Sequence, residues 1–297
     1  MRTVDYWSEL VSDSDENFNP DIQNLKIHLE LLIEEGSVEV PMLPEVASRV
    51  LMIANDPDSD AAQLSKLIQG DQALAGHVMR IANSAAYTPN ASMVSLQQAI
   101  ARLGISLIVD ISIAASLNTK LFSAPSYAPR LEGIWSHAVC AAIWGKEVAR
   151  LSKKNVEASF LCGLLHSIGR PAILQVIHER SLDSGLSVSL DNALLLEDRY
   201  HVEFGKVIVE KWGMPSIVQE SVQFYQDYQH AENFSDQAMV INAASKLADE
   251  SLRPGDITLD TVFEDIVFAD LNLYEDDLEQ LKQQYEKVKA GMEAMRV

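Results

Sequence analysis

The residues best suited to chemistry are two histidines set in apolar helical surroundings: His137 in WSHA and His166 in GLLHSIGR. A neutral imidazole can ligate a metal, carry a proton or sit buried with its hydrogen bonds satisfied. Phe160, Leu161, Leu164, Leu165 and Ile168 surround His166 on nearly every side of a helix, so a polar group there needs a partner. Cys162, four residues earlier on the same helix face, offers either a thiolate ligand or, as free cysteines usually do, a small apolar core side chain. Arg170 can approach a phosphate, or it can satisfy helix-end carbonyls or an acidic neighbour. Gly70, Gly76, Gly104 and Gly205 are scattered and make no phosphate-cradling loop or dinucleotide fingerprint. The sequence contains no nucleophile elbow and no H-E-x-x-H.

The elements that must position these groups read as helices almost throughout. Val46, Ala47, Val50, Ile53 and Ala54 make one apolar stripe after Pro44, a residue suited to a first turn, and Asn55-Asp56-Pro57 ends the helix. Asp60 with Gln63 and Ser95 with Gln98 stand at capping-box spacing, and Asp71 can cap the next helix. Gly70 and Gly104 sit where a helix is expected to end with a left-handed residue. FSAPSYAPRLEG, residues 122–133, reads as a loop between two helical parts. Leu131, Ile134, Ala138, Ala141, Gly145 and Val148 then trace the buried stripe of a helix that carries His137 beside it. Asp191 is expected to start a further helix, a short helix is expected around Asn24 to Glu35, and 275–295 reads as one amphipathic helix. Strand alternation is lacking, so the fold class is all-α.

Composition narrows the function. The 297-residue chain carries 23 Lys and Arg against 43 Asp and Glu, a formal charge of -20, which disfavours nucleic acid and anionic membrane as partners. The first 19 residues lack an apolar core and a small-residue cleavage site, so no signal peptide is expected. Leu103 to Leu117, taken as the most apolar stretch, is too short to cross a membrane. Cys140 and Cys162 form no C-x-x-C pair and fit a reduced, cytoplasmic setting.

The order of PMLPEVASRVLMIANDPDS, LIQGDQALAGHVMRIANSAAY and VSLQQAIARLGISLI, followed by GLLHSIGR and HVEFGKVIVEKWGMP, resembles the HDOD family over about residues 38–252. These are bacterial signalling domains related to the metal-dependent HD phosphohydrolases. The resemblance implies a multi-helix HD-like fold with two packed halves, about 38–122 and about 131–252, between helical extensions at 1–37 and 253–297. Asn83-Ser84 in RIANSAAY matches a family signature, and their side-chain oxygens suit an architectural role where a helix gives way to a loop.

The same resemblance implies a ligand set. His137 looks like the first family histidine, His166 the histidine of the His-Asp pair, Asp249 in KLADES the distant aspartate, and His201 a fourth histidine of many relatives. HD enzymes use such donors to hold a divalent ion that polarises phosphate and lowers the pKa of water. Position 167 departs from the pattern. Ser167 stands where the enzymes carry Asp, and a neutral hydroxyl lacks the charge that offsets desolvation of a divalent ion. The expectation is a degenerate, non-catalytic site without cofactor, in which His137 and His166 bond each other, Asp249 or backbone carbonyls. By the resemblance the chain is then a signal-transduction module that binds another signalling protein across the groove between its halves. The alternative keeps a divalent metal on His137, His166 and Asp249, with or without His201. It makes the chain a phosphohydrolase or phosphodiesterase acting on a nucleotide or cyclic nucleotide, with His166, Arg170 and Lys206 as candidate catalytic groups.

Overall fold

Short polar side chains start the early helices by taking orphaned amides. In a computed structural model that describes residues 20–56, 58, 60–84, 86–88, 93–117 and 121–295, Asp60 accepts from the Gln63 amide, Asp71 from Leu74 and Ser95 from Gln98. The signal-peptide expectation and the extension before Pro20 lie outside the described residues, as does Pro57.

The helices are α1 (Pro20–Glu34), α2 (Glu45–Asn55), α3 (Ala61–Gln69), α4 (Gln72–Ala82), α5 (Leu96–Leu103) and α6 (Ile105–Leu117). A 3-10 turn, Pro125–Tyr127, leads into the 24-residue α7 (Ala128–Leu151). Then come α8 (Val156–Leu165), α9 (Gly169–Ser184), α10 (Leu190–Lys211), α11 (Ser216–Phe224) and α12 (Ser235–Leu252). Two short helices, α13 (Leu259–Phe263) and α14 (Ile266–Asp270), precede α15 (Glu275–Gln283) and α16 (Tyr285–Met295). The fold is all-α. Among the described residues the only β pairing is an isolated bridge between Pro254 and Ile257.

Several local expectations need correction. Gly70 is right-handed, with φ −66°, because its amide turns back to the Lys66 and Leu67 carbonyls and Asp71 caps the next helix at once. Gly104 does take a positive φ, +88°. Ser189 rather than Asp191 caps α10, accepting from the Asn192 amide, and leaves Asp191 in the first turn where its charge suits the dipole. The C-terminal segment is two helices, since the Gln284 amide closes onto Leu281 and ends α15. The apolar stretch 103–117 falls mostly in α6 and is too short to cross a membrane, whereas Val156–Ser184, α8 through α9, is long and apolar enough to do so, with two-thirds of its most apolar window buried in the fold.

Two apolar clusters make the interior. The larger joins α2 to α6 with α7, α8, α11, α12 and the C-terminal helices around Trp144 and Phe160. The smaller joins α1, the Pro125–Tyr127 turn, α9 and α10 through Leu25, Leu29, Ile173, Leu196 and Phe204. Ile168 and Trp212 pack against both clusters, so the His166 segment lies on the seam between them. Asn83 acts as architecture. Its Nδ2 donates to the Met79 and Met93 carbonyls at 3.0 and 2.9 Å, and its Oδ1 accepts from the Met93 amide at 2.6 Å.

Candidate functional site

Five helices supply the candidate residues, and glycines let them approach. A Cβ on Gly163 would lie 2.6 Å from the Ala142 Cα, so α8 seats against α7 only with glycine there. The approach carries His166, the residue after α8, to the side of His137 on α7: their ring centroids are 5.3 Å apart. Asp249 reaches in from α12, with Oδ1 3.5 Å from His137 Nε2, and also accepts from Arg253 Nη2 at 2.6 Å. Tyr225, just after α11, stands edge-on to His166 with centroids 5.0 Å apart and lies 6.3 Å from the His201 ring. His137, His166, His201 and Asp249 therefore form one chain of contacts through Tyr225.

The hydrogen bonds fix the protonation of both buried imidazoles. His166 Nδ1 donates to the Gly163 carbonyl at 2.6 Å, which leaves the ring lone pair on Nε2. His201 Nδ1 donates to the Asp198 carbonyl at 2.7 Å, so its Nε2 is the acceptor, and it receives the Tyr225 hydroxyl at 2.8 Å with Arg170 Nη2 at 3.3 Å. Burial, reinforced by the neighbouring His137, pushes the His166 pKa down to about 3. Burial and then the Arg170 charge lower His201 to about 4. Both rings are neutral near pH 7. Burial raises the Tyr225 phenol to about 12, keeping it a donor. Burial also favours the neutral form of Asp249, but contact with His137 and Arg253 more than offsets this and holds its pKa below the usual value.

The donor chemistry fits a divalent ion poorly. Ser167 is buried, and its hydroxyl has no protein partner and no charge to offer. The lone pair of His201 is spent on Tyr225 and Arg170, and the guanidinium adds positive charge at the same atom. Among the described residues no group of three His, Cys, Asp or Glu side chains is disposed to hold a metal. Cys162 is a free, wholly buried thiol of the larger apolar cluster, its Sγ 3.8 Å from the Ile217 carbonyl, and burial pushes its pKa up to about 12. Lys206 lies about 140° around α10 from His201, and no hydrogen bond or ion pair among the described residues joins it to the cluster.

Sequence reasoning missed Glu197, Asp198, Arg130 and Tyr225. Glu197, wholly buried, accepts from Arg130 Nε at 2.9 Å and from Arg170 Nη1 at 3.0 Å, while Asp198 accepts from Arg170 Nη2 at 2.9 Å. The signal was available in LEDRYH, because carboxylates three and four residues before His201 share its helix face. A groove of about 660 Å³ lies elsewhere, between residues 37–43 with Ser48 and the end of α10 at Lys211 and Trp212.

The HDOD domain signature matches residues 40–228, more than half of the chain. The chain belongs to the HDOD family. A solved structure from Shewanella amazonensis, provisionally named a metal-dependent phosphohydrolase, is 21% identical with a TM-score of 0.72, covering 92% of this chain and 100% of that one. One from Marinobacter aquaeolei VT8, provisionally named a signal transduction protein, is 20% identical with a TM-score of 0.67, covering 96% of this chain and 68% of the other. At such identities the likeness is one of fold. An uncharacterized protein of Treponema pallidum (strain Nichols) is 22% identical over 222 residues. The match takes in 72% of this chain and 42% of that protein, so the HDOD chain spans less than half the length of the curated relative it matches.

Proposed function

We propose that this HDOD chain is a regulatory module of signal transduction that works through contact with another signalling protein, and that its HD-like site does not hydrolyse phosphoesters. One observation carries the reading. At the position where an HD enzyme needs an anionic ligand the chain has Ser167, a buried neutral hydroxyl without a protein partner. Loss of groups that merely orient a metal's ligands already costs about 10- to 100-fold in affinity or activity, and loss of a direct anionic ligand costs more. The acidic chain, at -20, favours a protein partner over nucleic acid or anionic lipid.

The test is hydrolysis of bis-p-nitrophenyl phosphate and cyclic nucleotides by untagged protein with Mn2+, Fe2+ or Mg2+ supplied, together with elemental analysis of the purified chain. The expected result is no turnover above that of His166→Ala and no stoichiometric metal. Metal-dependent turnover that disappears in His166→Ala overturns the reading, and cross-linking in the host that repeatedly finds no specific partner counts against it.

A further inference from the structure

α16 lies outside residues 40–228, which carry the HDOD signature, and packs across α4, α6 and α7. Tyr285, Val288, Met292 and Met295 follow one another at steps of three, four and three residues, the spacing with which an amphipathic helix enters a groove. Val288, Met292 and Met295 are buried, and the Tyr285 ring stands 6.4 Å from that of Trp144 on α7. Two charged groups fix the register and the end of the helix. Lys287 Nζ donates at 2.8 Å to Glu147 of α7, a buried carboxylate that also pairs with Arg150. Arg80 Nη1 of α4 donates to the Ala294 carbonyl at 2.9 Å, taking one of the carbonyls that a helix end leaves open. A Cβ on Gly291 would stand 3.1 Å from Ile143 Cδ1, so this surface favours a small residue there.

We infer that α4, α6 and α7 form a docking groove for an amphipathic helix of the signalling partner, and that α16 occupies this groove in cis until such a helix replaces it. The inference rests on the reading of the chain as a contact module and deepens it by naming the surface and the kind of partner. The partner helix carries apolar residues spaced as in α16 and a basic residue placed as Lys287 is, because Glu147 sets a negative charge in the groove. The seat is suited to exchange. Met292 and Met295 are adaptable anchors, and with Trp135, Ser136 and Val139 they line a cavity of about 10 Å³. A helix of 11 residues has little stability of its own in water, so α16 persists through this contact and a partner helix competes with it for the same seat.

The probe is a fluorescent peptide of residues 273–295, followed by anisotropy against the full untagged chain as wild type and as Met292→Asp, which loosens α16 from its seat. Occupation in cis lowers the fraction of open groove, so Met292→Asp is expected to bind the peptide at least about tenfold more tightly than wild type. Within that background Glu147→Gln should weaken binding by roughly three- to tenfold. It should leave the affinity of a peptide carrying Lys287→Gln unchanged, because the pair is then already broken. If Met292→Asp does not fold, hydrogen exchange of wild type decides: the α16 amides are expected to exchange at least about tenfold faster than those of α7, through an opening that leaves α7 closed. Equal affinity of wild type and Met292→Asp, equal binding of a scrambled peptide, a Glu147→Gln effect that does not depend on Lys287, or exchange of α16 only together with α7, overturns the inference. Wild-type dimers in light scattering that Met292→Asp abolishes would make a second copy the occupant and overturn the assignment to a partner. The peptide assay reads the groove alone, and phosphoester turnover lost in His166→Ala is the separate result that defeats the functional reading.

Discussion

Gly169 lies so close to the backbone of His201 that a Cβ at position 169 would stand 2.0 Å from the His201 carbonyl oxygen and 2.6 Å from the Gly205 nitrogen. The first turn of α9 is thereby laid directly on α10, and this contact brings Arg170 within reach of Glu197, Asp198 and His201. Backbone cannot retreat as a flexible side chain can, so Gly169→Ala must push the two helices apart. Its expected cost is at least about 3 kcal/mol in urea unfolding. Gly133→Ala, on α7 with open space around the new methyl, should instead stabilise by about 0.5–1 kcal/mol. Equal effects from the two substitutions would show that the α9–α10 contact does not govern this region.

Buried neutral histidines make the fold sensitive to acid. The unfolded chain protonates His166 and His201 near 6.5, whereas the fold holds them at about 3 and about 4. Their contribution is therefore complete above pH 6.5 and is lost as pH falls through the window below it. Asp110 acts in the opposite sense, because burial raises its pKa to about 6 despite the Lys146 ion pair, and its proton is favoured in the fold. Two histidines outweigh one carboxyl between pH 6 and 5. The unfolding free energy should drop on going from pH 7.5 to 5.0 by on the order of 2 kcal/mol, and the drop should be clearly smaller in His166→Gln. A variant as acid-sensitive as wild type would remove His166 from this account.

Much of the frame was legible in the sequence because its signals are local. Asp60, Asp71 and Ser95 cap the helices they were expected to start, since a cap needs only a short oxygen-bearing side chain and an amide three residues on. The trio of His137, His166 and Asp249 was legible through family motifs, and the fold brings its members together. The Arg130–Glu197–Arg170 network was not, because its partners lie 67 and 27 residues apart and only the packing of α7, α9 and α10 joins them. Nor could periodicity tell Arg170 as an ion-pair partner of Glu197 from a free phosphate ligand. The handedness of Gly70 escaped for the opposite reason: a turn of one residue is decided by whichever cap follows it, here Asp71.

Asn83 joins the end of α4 to Met93 through both ends of its amide. Asn83→Ala leaves the Met93 amide and two carbonyls without this partner, at an expected cost of about 1–3 kcal/mol. Asn83→Asp keeps the acceptor for the Met93 amide but loses both donors, so it should recover only part of that. Urea melts of the three proteins test the order, and an Asp variant as stable as wild type would limit the role of Asn83 to accepting from Met93.

Restoring the carboxylate that HD enzymes carry should harm this chain. Ser167 is 2% exposed, and the Arg170 fork is already divided between Glu197 and Asp198, so a new Asp would enter a dry site without a counter-charge. Ser167→Asp is expected to destabilise by about 2–4 kcal/mol at pH 8 in chelator. The deficit relative to wild type should shrink at pH 5, because desolvation raises the new carboxyl's pKa and lets it take up a proton in the fold. Paired melts at the two pH values measure this directly. A Ser167→Asp protein as stable as wild type at pH 8 in chelator would mean that the site already provides a counter-charge for the aspartate.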